Sequence, residues 1–181
     1  GAGRVGRLGG MDIDTLSRDL GGALATIPLL DAHTHLDATH LVARGLHDVL
    51  LYHMVVSDLA SAGCPDRERL GEQPTGEEAR IRIERALPFL PAARTTSCSW
   101  GLRIILADLY GWRGPVDAAG WKRLDARMRE RSTDPAWIRE ILRRAGIRRS
   151  CTELWRRHDG RADDLLQYSL EWSFFARCQW G

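Results

Sequence analysis

Two histidines separated by one residue, His33 and His35, stand in the stretch IPLLDAHTHLD at 27–37, where an apolar run gives way to an acid. On an extended strand the side chains at i and i+2 share a face, so both imidazoles project together, and Asp31 has the same parity. Two neutral imidazoles converging on one point begin a site for Zn²⁺ or a similar borderline cation, which needs at least one more ligand from elsewhere. The competing reading of an H-x-H pair is incidental: two histidines that share no ion. Position favours the ligand reading, because α/β proteins gather ligands outside the carboxyl ends of their strands. Tyr52 and His53 stand on the helix expected after this strand and could face the same mouth; the alternative is a core tyrosine beside a satisfied buried histidine. His40 and His47 read as solvated helix residues, and His158 as part of a charged loop.

The elements that must position these groups follow from periodicity. Ile13, Leu16, Leu20 and Leu24 recur at helical spacing among acids and Arg18, which predicts an amphipathic helix that Pro28 ends. Residues 29–36 suit a short buried strand. A long helix is predicted over about 38–62, then a loop over 63–76 rich in Gly, Pro and charge. Further helices are expected over 75–87, ended by Pro88 and Pro91, and over about 96–110 and 117–131. The clearest helix is 135–145, with Asp134 as its cap, Pro135 in its first position, apolar residues at 138, 141, 142 and 145, and Gly146 as its stop. IRRSCTE is compatible with a second strand, and a last helix is expected from near Arg161 through Leu165, Leu166, Leu170, Phe174 and Phe175 to the final residues. The order is strand, many helices, strand, helix: an α/β chain that is mostly helical.

Composition narrows the class. The 181 residues are 44% hydrophobic, enough for one ordinary domain with a core. No run approaches the ~18 apolar residues of a membrane span, and the N-terminus has no apolar signal core, so no membrane partner and a cytoplasmic address are expected. Cys64, Cys98, Cys151 and Cys178 form no CxxC pair, so they read as reduced and mostly buried rather than as a disulfide frame or zinc knuckle. The net charge of +2 comes almost wholly from arginine, and 24 acids are spread among the basic residues. Arginines balanced on solvated faces are therefore expected, not a nucleic-acid partner, for which Arg143, Arg144, Arg148 and Arg149 would be the best candidates. GAGRVG at the start matches the letters of a dinucleotide fingerprint, but no strand precedes it, so residues 1–10 read as a flexible leader before Met11.

LLDAHTHL resembles the first barrel strand of the amidohydrolase superfamily, metal-dependent (β/α)8 enzymes whose H-x-H follows that strand. Within it, the long helical stretch after H-x-H, the segment from Trp100 to Trp112 (WGLRIILADLYGW), and GIRRSCTE followed by DDLLQY resemble the uronate isomerases over roughly residues 27–178. In that family His-Tyr-Lys-Trp-Arg follows the first strand; here YHMVVSD stands instead, which implies a divergent relative with a polyol or acid substrate of its own. The resemblance implies a partial (β/α)8 barrel. Its helix and first strand would occupy 11–37, a helical insertion 38–145, and a second strand and truncated helix 146–181. It also implies an intramolecular oxidoreductase that interconverts an aldose-type sugar acid such as glucuronate and its keto form. A divalent metal, zinc by preference, would rest on His33 and His35, with Tyr52 or His53 polarising the substrate or relaying its proton. Such a barrel takes ~250 residues, so this chain is expected to be an N-terminal fragment, inactive alone. A hydrolase of the same superfamily and a non-enzymatic Arg-rich helical module stay open as alternatives, as does homo-oligomerisation.

Overall fold

A computed structural model of the chain describes residues 12–36, 39–65, 74–153 and 164–169. The leader at 1–10, part of the loop after residue 63, His158 and everything after Ser169 lie outside the described residues. The chain is α/β and mostly helical, with one small parallel sheet, and divides into two compact units: residues 1–39 with 139–181, and residues 40–138.

The first unit carries the sheet. Helix α1 (Ile13–Ala25) starts where Asp12 accepts from the amides of Asp14 at 2.8 Å and Thr15 at 3.0 Å, satisfying donors that a helix start leaves open. Strands β1 (Leu29–Thr34), β2 (Ile147–Glu153) and β3 (Leu166–Ser169) pair in the order β1-β2-β3, both pairs parallel. Parallel neighbours need a crossover, and between β1 and β2 it is the entire helical unit. Leu166–Ser169 is a strand where periodicity predicts helix. A run as short as LLQYS fits either element, and pairing with Ser150–Glu153 decides it.

The second unit is helical and has its own core. Its elements are α2 (Leu46–Leu50), α3 (His53–Ser61), α4 (Gly76–Ala86), a 3₁₀ turn at Leu87–Phe89, α5 (Leu90–Ala93), α6 (Ser97–Tyr110) and α7 (Trp121–Ser132). Helix α8 (Trp137–Arg144) contains the division between the units, and Ala136 N donates to Asp134 Oδ1 as the chain enters it. Leu46, Leu50, Leu59, Ile83, Leu106, Leu124 and Met128 are completely or almost completely buried.

Two expectations are corrected here. The predicted helix over 38–62 is two short helices, because residues 39–45 are not helical and Tyr52 is extended (φ −63°, ψ 139°). Helix α2 begins at Leu46 because Asp125 on α7 accepts its amide at 2.8 Å, a cap supplied from far along the chain. Gly45 permits that approach: a Cβ there would lie 2.7 Å from Asp125 Oδ1. Pro88 and Pro91 do not end the helical path either. Each occupies an early position of a new short helical element, where its missing N–H costs nothing. Among the described residues no helix is long and apolar enough to cross a membrane. Cys64 is buried, and Cys98 and Cys151 half-buried, none of the three in a disulfide.

Candidate metal centre

His33 lies near the end of β1, and His35 just past it. Their rings meet edge to face with centroids 4.9 Å apart, and the two Nε2 atoms face each other at 3.0 Å. One Nε2–H donating to the lone pair of the other ring accounts for that separation, and a cation held by both lone pairs would sit at a similar one. Two zinc–nitrogen bonds of about 2.0–2.1 Å in tetrahedral arrangement would put the nitrogens about 3.3 Å apart, close to the spacing present. The donor set thus fits a borderline divalent cation as far as it goes. Among the described residues no cluster of three or more His, Cys, Asp or Glu could complete it.

The backbone explains why the rings converge. Pairing with β2 shifts register between Asp31 and Thr34, where three steps on β1 oppose two on β2. Such an irregularity re-aims side chains next to a site. Asp31, half-buried, accepts the His33 amide at 3.4 Å, a long contact that steers the turn more than it stabilises it. Thr152 on β2 does more. Its buried Oγ1 lies 2.8 Å from the Leu36 carbonyl and 3.2 Å from the Thr34 carbonyl, so its single proton ties down the backbone on either side of His35. Thr152 is the positioning residue that the spacing of histidines could not reveal. The available signal was the Cys-Thr pair at the end of the second strand.

Tyr52 and His53 belong to the helical unit, at the start of α3, both exposed, with ring centroids 4.2 Å apart and tilted by 50°. Neither is the core residue of the competing reading. Each predicted pair is therefore brought together within its own unit: His33 with His35, and Tyr52 with His53.

His40 is exposed and not helical. His47, expected in solvent, is buried on α2 beside Leu46 and Leu50, with Nε2 3.3 Å from Asp48 Oδ1. Burial pushes its pKa below the usual 6.5, with Arg44 and Arg129 acting the same way against Asp48 and Asp125. Arg44 in turn grips Asp48 through both its backbone amide and its guanidinium.

The arginines around α8 are partly neutralised. Arg143 and Arg144 both bind Glu140, at 2.7–2.9 Å, and hydrogen bonds from the two hold the Glu140 carboxyl at about 2. Arg139 pairs with Asp164 at 2.6 Å, while Arg148 and Arg149 stay exposed. Set against protein-family models and curated protein sequences, the chain matches none of them.

Proposed function

We propose that this chain is the N-terminal part of a metal-dependent isomerase of sugar acids, similar to the uronate isomerases, with His33 and His35 as two ligands of a divalent ion, zinc by preference. The observation that carries the reading is the 3.0 Å approach of two Nε2 atoms at the carboxyl end of a parallel strand. A bound cation would act as a Lewis acid toward the sugar oxygens. The chain's own residues do the rest. The β1 backbone, pinned by Thr152, fixes the angle between the imidazoles. From the resemblance, Tyr52 or His53 is the candidate for polarising the substrate or relaying a proton between neighbouring carbons, roles open to a phenol or an imidazole.

The sheet supports a partial barrel as the setting. Leu29 and Leu30, neighbours on β1, are 50% and 62% exposed, whereas the strands of parallel sheets are normally covered on both faces. Further strands and helices of a longer enzyme would cover them and supply the missing ligands, so this segment alone would not turn over.

The test uses the natural full-length protein. Metal content by elemental analysis is compared in the parent and in His33→Ala and His35→Ala, and activity is assayed on glucuronate and on a panel of lactones and amides. One equivalent of metal, lost in both variants, together with isomerisation of the uronate is expected. Turnover of lactones or amides alone would replace the isomerase with a hydrolase. A metal-free parent would remove the enzymatic reading altogether and favour the Arg-rich module.

A further inference from the structure

The helical unit has a cleft of about 630 Å³ between α6 and the loop that follows it, and nothing in the isomerase reading uses it. That volume lies in the range that encloses a small organic molecule.

One wall is a single face of α6. Trp100, Arg103, Ile104 and Ala107 all line the cleft at spacings of three and four, and Trp100 is 61% exposed, a large apolar surface left without cover. Trp112 also lines the cleft, and the local fold fixes its ring. Gly111 ends α6 in the left-handed conformation (φ 63°), which turns the chain back so that Trp112 N donates to the Leu106 carbonyl at 2.9 Å. The indole Nε1 donates to the Pro115 carbonyl at 3.1 Å. Arg123 lies over the ring at 5.8 Å, and the far edge of the ring rests on Gly120, where a Cβ would come within 2.8 Å of Cζ2. These contacts fix the ring before any ligand arrives.

The charge lining the cleft is unbalanced. Arg94, Arg103 and Arg113 line it against Asp108 and Asp117. Asp117 Oδ1 is occupied with the amides of Ala119 and Gly120, and Arg94 donates to the Pro91 carbonyl. Among the described residues Arg103 and Arg113 make no hydrogen bond or ion pair. A guanidinium is weakly hydrated and offers a planar fork to an oxyanion, and it also stacks on flat rings.

We infer that this cleft binds a small organic anion with a flat apolar body, an aromatic carboxylate or sulfonate, its rings between Trp100 and Trp112 and its anionic group on Arg103 and Arg113. The inference is independent of the metal reading. Titration with 1-anilinonaphthalene-8-sulfonate, followed by its fluorescence, tests it against the uncharged N-phenyl-1-naphthylamine. Saturable binding of one sulfonate per chain is expected, at least tenfold tighter than the neutral amine. The double variant Arg103→Glu/Arg113→Glu should lose tenfold or more of that affinity with an unchanged circular dichroism spectrum. If that variant does not fold, Arg103→Gln/Arg113→Gln replaces it, and the Trp112 indole N–H resonance reports occupancy directly. Equal affinity for the two probes, or a sulfonate signal that survives loss of both arginines but disappears in Leu20→Ser on the exposed face of α1, would overturn the assignment.

Discussion

The two units use apolar residues in opposite ways. In the helical unit Leu46, Leu50, Leu59 and Leu124 have no measurable exposure. In the sheet unit the apolar positions of α1 and β1 are between 39% and 66% exposed, and burial is confined to a few residues such as Leu142, Leu165, Leu166, Ser150 and Thr152. The same kind of periodicity therefore closes a core in one unit and leaves a bare surface in the other. A helical hairpin of elements can satisfy itself locally; a parallel sheet cannot, because each of its faces needs a covering layer.

Substitutions should separate the two units sharply. Leu124→Ala deletes fully buried methyl groups and is expected to cost about 2–5 kcal/mol in urea unfolding. Thr152→Val tests the one well-anchored part of the sheet. Stranding the Leu36 and Thr34 carbonyls should cost about 1–3 kcal/mol in urea unfolding and, on the proposed metal reading, weaken zinc binding by the natural full-length protein, while Thr152→Ser retains both. An unchanged zinc titration for Thr152→Val would show that the histidines hold their geometry without β2. Asp125→Ala removes the long-range cap of α2 at about 0.5–2 kcal/mol, measured in the same unfolding assay.

A smaller effect separates the units by pH. His47 is kept neutral by burial, so its folded pKa lies below the unfolded one. Its contribution is fully present above the ordinary 6.5 and drains away as pH falls from there through the lowered value, since the unfolded chain takes up the proton first. In Asp48 burial raises the pKa, but hydrogen bonds from Arg44 outweigh it and leave a net lowering, so the loss from Asp48 belongs to the separate window below 3.8. His47→Leu should flatten the stability profile between pH 7 and 5; a slope identical to the parent's would place the titrating group elsewhere. Smallest of all, Leu20→Ala on the open face of α1 should stay within about 0.5 kcal/mol. A larger loss would mean that α1 is covered in solution.

Local chemistry was legible in the residues. Asp134 marks the approach to α8 and Gly146 its end, and the apolar run before Asp31 marks β1. The two imidazoles approach one another, but through the register shift between Asp31 and Thr34 and not through parity on one regular strand, which ends at Thr34. What could not be read depends on distant partners. Nothing near Gly45 announces that Asp125 will start a helix there. His47 sits among charged neighbours, yet its side of α2 is the buried one. Leu166–Ser169 is a strand because β2 lies beside it. Thr152 acquires its role only from carbonyls more than a hundred residues away.

In the described sheet, β1 is hydrogen-bonded on one side only. An unfinished parallel edge flanked by Leu29 and Leu30 is a template that another polypeptide can extend. Concentrating this segment by itself should therefore drive copies to stack strand upon strand, and a charged residue in place of Leu30 should keep them apart. The edge that the proposed barrel would close is thus also the one through which copies of this chain would precipitate.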